Sequence, residues 1–112
     1  MVISRLGTLL AISTGLTLAT SPVQAQSPGL YYAWRSINAD LMTCLDRSTA
    51  ALAEEGLGNI QVENNSVAGT TEDSTAVFVC LENPDAMTVM IMVSSTDDDT
   101  AFTLRETLKE LF

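Results

Sequence analysis

Two cysteines, Cys44 and Cys80, lie 36 residues apart, and no other feature limits the fold of this chain as tightly. An even cysteine count in a short exported chain reads as a disulfide rather than a metal or catalytic site. With two cysteines there is only one intramolecular pairing. Closing a loop of that length stabilises by roughly 3–4 kcal/mol on the chain-entropy account, a large share of a small domain's total. A redox-active pair would carry Cys-x-x-Cys spacing, which the sequence lacks. Any fold drawn for these residues must therefore bring positions 44 and 80 together.

The expectation of an oxidising compartment comes from the N-terminus. Arg5 precedes an apolar run from Leu6 to Thr20, Pro22 breaks it, and Val23-Gln24-Ala25 places small side chains at a cleavage site. Charged start, apolar middle and small-residue end are the three parts of a secretory signal peptide. The run is diluted by Ser, Thr and Gly and falls short of the ~20 apolar residues that span a bilayer. Residues 1–25 are thus expected to be a cleavable signal peptide and residues 26–112 one small domain. The expected location is periplasmic or secreted, with no stable membrane insertion after cleavage.

Charge and composition narrow the function classes. The chain has five Lys and Arg against 14 Asp and Glu; without Arg5 the balance is four against 14, a net −10. That argues against nucleic acid and anionic membrane surfaces, which need a basic footprint. There is no histidine, which removes Ser-His and Cys-His catalysis and the commonest zinc and copper ligands. Asp97-Asp98-Asp99 fails as a calcium loop, because Phe102 and Leu108 stand where an EF-hand needs Gly and Glu. Met87, Met90 and Met92, with Met42, are better read as adaptable packing than as a copper site. Asn64-Asn65-Ser66 matches an N-glycosylation sequon, a short pattern that recurs by chance. No enzyme activity, cofactor or metal is expected.

Periodicity supplies the fold. From Leu30 to Glu55, residues Leu30, Trp34, Ile37, Leu41, Cys44, Leu45, Ser48 and Leu52 fall on one helical stripe. Ser27 and Pro28 are read as its start and Gly56 as its C-terminal stop. Period two follows: a strand from Asn59 to Thr71 with a turn or bulge at Asn64-Asn65-Ser66, a strand from Ser74 to Leu81, and a strand from Ala86 to Ser95. Thr96 with Asp99 is read as a capping box opening a last helix. The expected fold is α+β in two layers: a three-stranded antiparallel meander with an N-terminal and a C-terminal helix, order α-β-β-β-α, closed by one disulfide.

This arrangement leaves one tension. If Phe78 and Cys80 face the helices, Val77, Val79 and Leu81 face away, and on the next strand either Met90 and Met92 or Met87, Val89, Ile91 and Val93 join them. A sheet covered on one side should be polar on the other. This one is apolar on both, so either residues 26–35 or the last helix fold over it, or it is an interaction face formed by Val77, Val79, Leu81, Met90 and Met92. The leading expectation is a non-catalytic module that holds a protein partner or a second copy of itself. A secreted inhibitor of an extracellular enzyme, or a carrier of a small ligand or metal, is the alternative.

Overall fold

The first strand forms where the sequence pattern suggested a helix. The structure, a computed structural model, describes residues 28–112; the expected signal peptide and its cleavage site lie outside them. Residues Leu30–Ile37 are a β-strand, β1, alternating in burial. Leu30, Trp34 and Ile37 are spaced for a helical stripe, but Tyr31, Tyr32, Trp34 and Ile37 are strand formers, and Asn38-Ala39-Asp40 holds the true helix start. Helix α1 spans Leu41–Glu54. Its N-cap is Asp40, whose carboxylate accepts from the Thr43 amide at 2.8 Å. That bond, chiefly, holds the Asp40 pKa below its ordinary value. Cys44, Leu45, Ser48, Ala51 and Leu52 form its buried face.

The helix ends as its sequence dictates. Gly56 takes a φ of 82°, a region glycine enters without a Cβ clash. The Leu57 amide returns to the Leu52 carbonyl and the Gly56 amide to that of Ala53, the paired bonds of a Schellman stop. Leu57 is thereby turned into the core, where it meets Gly69; a Cβ on Gly69 would lie 3.2 Å from the Leu57 Cβ.

The next segment is two strands rather than one. Gly58–Glu63 (β2) and Ser66–Thr70 (β3) pair antiparallel, with Glu63 opposite Ser66 and the reversal at Asn64-Asn65. Asn64 has a φ of 54°, and Asn is among the few residues that tolerate this region. The Asn65 side chain donates to the Cys80 carbonyl and its own carbonyl accepts from the Cys80 amide, tying the turn to the next strand. A second positive φ, 50° at Asn59, coincides with a register shift between Gly58 and Gln61, so β2 is bulged.

Strands β4 (Ser74–Glu82) and β5 (Met87–Ser95) form the centre, paired from Ser74–Ser95 to Glu82–Met87. Strand β1 pairs antiparallel with the far side of β5. The result is a five-stranded antiparallel sheet in the order β1-β5-β4-β3-β2, not a three-stranded one. The element order is β-α-β-β-β-β-α. The α+β class, the antiparallel sheet, two helices and the disulfide agree with expectation; the strand count and the position of the first helix do not.

Helix α2 spans Asp98–Glu110. Its N-cap is Asp97, one residue later than the expected Thr96. The Asp97 carboxylate accepts from the Thr100 hydroxyl at 2.6 Å and its amide at 2.9 Å, and these bonds, the hydroxyl's first, lower its pKa. Asp98 and Asp99 in the first turn and Lys109 in the last suit the helix dipole.

Both helices pack on the same face of the sheet. The Cys44–Cys80 disulfide joins α1 to β4, and both cysteines are buried. Phe78, Ile91, Val67, Val89 and Val93 fill the layer between sheet and helices. Phe112, just past α2, sets its ring 5.1 Å from that of Phe78, while Arg47 of α1 lies over the same ring and donates to the Phe112 carbonyl. Arg35 of β1 donates to the Lys109 carbonyl, closing the other side of α2.

Candidate functional site

The register fixes which side chains share the face away from the helices. Alternate residues of a strand point to opposite faces, and Ala76, Phe78 and Cys80 are buried toward the helices. Val77, Val79 and Leu81 therefore point outward. Their β5 partners are Met92, Met90 and Thr88, so the pair Met90 and Met92 lies on the outer face, while Met87, Val89, Ile91 and Val93 are in the core. The structure brings together all five residues singled out in the sequence.

Two cross-strand rows carry most of this surface. One runs Trp34, Met90, Val79, Ser66, Glu63; the next runs Tyr32, Met92, Val77, Ala68, Gln61. Tyr32 and Trp34 stack with ring centroids 6.1 Å apart and planes 14° from parallel. They are 54% and 60% exposed, and Leu30 beside them is 63% exposed, values that mark an uncovered surface. Among the described residues, neither cover considered for this face is present. Residues 30–35 are its edge strand, and α2 lies on the opposite side. No described element packs over it.

Tyr32, Trp34 and Leu30 were missed at the sequence level because their segment was read as a helix. The available signal was the alternation Leu30, Tyr32, Trp34, Ser36 among strand-forming residues.

The face is almost free of charge. Among the described strand residues that point this way, Glu63 at one corner is the only ionisable carboxylate or base, although the chain holds 14 Asp and Glu. The other acids lie at turns, helix caps and helices, and at the end of β4, where Glu82 falls on the opposite side from Val79 and Leu81 by alternation.

Both sheet edges are obstructed. At β1, the Arg105 guanidinium from α2 donates to the Tyr32 carbonyl at 3.2 Å, held by Glu106 and by the ring of Phe102, 4.9 Å away. At the other edge β2 is short and bulged. Such devices discourage strand addition.

A second feature is a groove of about 520 Å³ between the ends of the helices, lined by Glu55, Asp73, Asp99, Thr100, Thr103 and Leu104 among others. Among the described residues, no group of three or more His, Cys, Asp or Glu could hold a metal ion, and no helix is long and apolar enough to cross a membrane. The disulfide suits an oxidising compartment. No family model matches the chain, and no curated protein matches it either.

Proposed function

We propose that the chain is a small exported, non-catalytic module that binds protein on the open face of its sheet. The observation that supports this is the uncharged band of Tyr32, Trp34, Met90, Met92, Val77, Val79 and Leu81, uncovered by any described element. Tyr and Trp are the side chains that most often anchor protein interfaces, and methionine adapts to a partner's shape. The acidic balance and the missing histidine weigh against nucleic acid and against the usual hydrolytic chemistries. The disulfide and the signal-like N-terminus favour the periplasm or the external medium.

The test is native mass spectrometry of the chain recovered from an exporting host, beside a Val79→Glu/Met90→Glu variant. Both positions point away from the core, so the variant should keep its circular dichroism spectrum. A complex seen with the wild-type chain and lost in the variant supports the reading; a complex that survives the substitutions overturns it. The groove between the helices favours a second reading, a small-ligand carrier. A thermal-shift screen of small cationic and polyhydroxy ligands in which none raises the melting temperature would remove it.

A further inference from the structure

We propose that the partner on this face is a second copy of the chain, in a two-fold sheet-on-sheet sandwich whose axis runs along the strands between β4 and β5, laying Tyr32 and Trp34 of each copy over Ala68 and Ser66 of the other. The inference rests on the binding reading above and names the occupant.

The first argument is the gradation of side-chain size across the sheet. Along both rows the side chains shrink over the four strands from β1 to β3, before Gln61 and Glu63 on β2: aromatic on β1 (Tyr32, Trp34), methionine on β5 (Met92, Met90), valine on β4 (Val77, Val79), then Ala68 and Ser66 on β3. A two-fold axis lying between the two sheets and parallel to the strands reverses the strand order of one copy over the other. It sets β1 over β3 and β5 over β4, so bulk meets gap and methionine meets valine. An isologous contact requires a surface that complements itself in this way. The aligned packing of two sheets, about 30° apart and ~10 Å between mean planes, preserves that opposition while turning the rows slightly.

Charge gives the second argument. Two chains of strong negative balance repel unless the contact excludes their carboxylates, and among the described strand residues this face holds one, Glu63, at its corner on β2. A basic partner would be met by acids; this surface offers almost none. The third argument is area. Four strands of 8, 9, 9 and 5 residues, ~3.3 Å per residue and ~4.8 Å apart, give each copy on the order of 490 Å². Two copies bury about 1,000 Å², the value that separates specific interfaces from packing contacts. The route is also selected by elimination, since Arg105 at β1 and the bulge at Asn59 in β2 obstruct edge-to-edge pairing.

The experiment is sedimentation equilibrium over a concentration series, on the chain purified from an exporting host. The wild-type chain should form a dimer. Ala68→Trp sets an indole against the other copy's Tyr32 and should raise the dimer dissociation constant at least about 30-fold, the scale of a hot-spot loss. Tyr32→Ala in the same chain vacates the space, so the Tyr32→Ala/Ala68→Trp variant should recover most of the affinity. Both residues lie on the outer face, and circular dichroism checks that each variant folds. A wild-type chain that is monomeric throughout, a dimer indifferent to Ala68→Trp, or a weakened dimer not restored by the double variant each overturns the proposal. A monomer that instead carries a different protein, released by Val79→Glu/Met90→Glu, overturns the second copy and leaves the binding reading standing. Association untouched by those charge substitutions overturns both.

Discussion

Cys44, Cys80 and Ser48 meet at the point where α1 touches the sheet. The Ser48 hydroxyl donates to the Cys44 carbonyl and lies 3.9 Å from the Cys80 sulfur, and all three residues are almost wholly buried. The bridge thus lies in the core, and its main contribution is to limit the unfolded chain. Replacing both cysteines, Cys44→Ala/Cys80→Ala, is expected to lower the unfolding free energy by roughly 3–4 kcal/mol, measured by urea denaturation of oxidised wild type against the variant. A change under about 1 kcal/mol would mean that the reduced chain is already restricted. This pairing was legible in the sequence because a chain with two cysteines allows one bridge, and because each sat on an apolar stripe or strand face. Tyr32 and Trp34 were not legible as face residues, since four-residue spacing from Leu30 to Trp34 satisfies a helix as well as alternation does.

Among the elements, α2 and the pair β4 and β5 followed directly from periodicity and turn residues. The first helix was overextended because Leu30, Trp34, Ile37 and Leu41 continue its stripe backwards, while the cap at Asp40 was overlooked. Strands β2 and β3 were merged because the Asn64-Asn65 reversal takes up so few residues that the apolar alternation runs through it. Both helix starts rest on aspartates, and this gives them a pH dependence. The pKa values of Asp40 and Asp97 are lowered from 3.8 by their cap bonds, so each contributes stability that is present above that value and lost as pH falls through the folded pKa. The melting temperature is expected to drop below about pH 4 and to drop less steeply in Asp40→Asn/Asp97→Asn, where the amide oxygen still caps but cannot titrate. Equal acid slopes in the two proteins would assign the acid sensitivity to other carboxylates.

At the scale of the molecule, stability should be graded from the centre of the sheet outward. Strands β4 and β5 each have two strand neighbours, and β4 carries the disulfide, whereas β2 is bulged and lies at an edge. Native-state hydrogen exchange is expected to release the amides of β2 first and those of β4 and β5 last; protection that is uniform across all five strands would mean that the sheet opens only as a whole. The two-layer plan was legible because two amphipathic helices and an apolar strand face require each other, but the position of β1 was not, since nothing in a local pattern says that the first strand joins the last. That joining sets an order of events during synthesis. Strand β1 emerges ahead of every other element described, yet its one partner in the sheet is β5, which begins at Met87, and α2, which also packs on it, comes later still. Until then Tyr32 and Trp34 lie on a strand with nowhere to dock, and Cys44 waits for Cys80 on the adjoining strand. The sheet can close only after β5 has been made as far as Ser95, so through most of synthesis the aromatic residues of β1 stay unpaired and open to other chains.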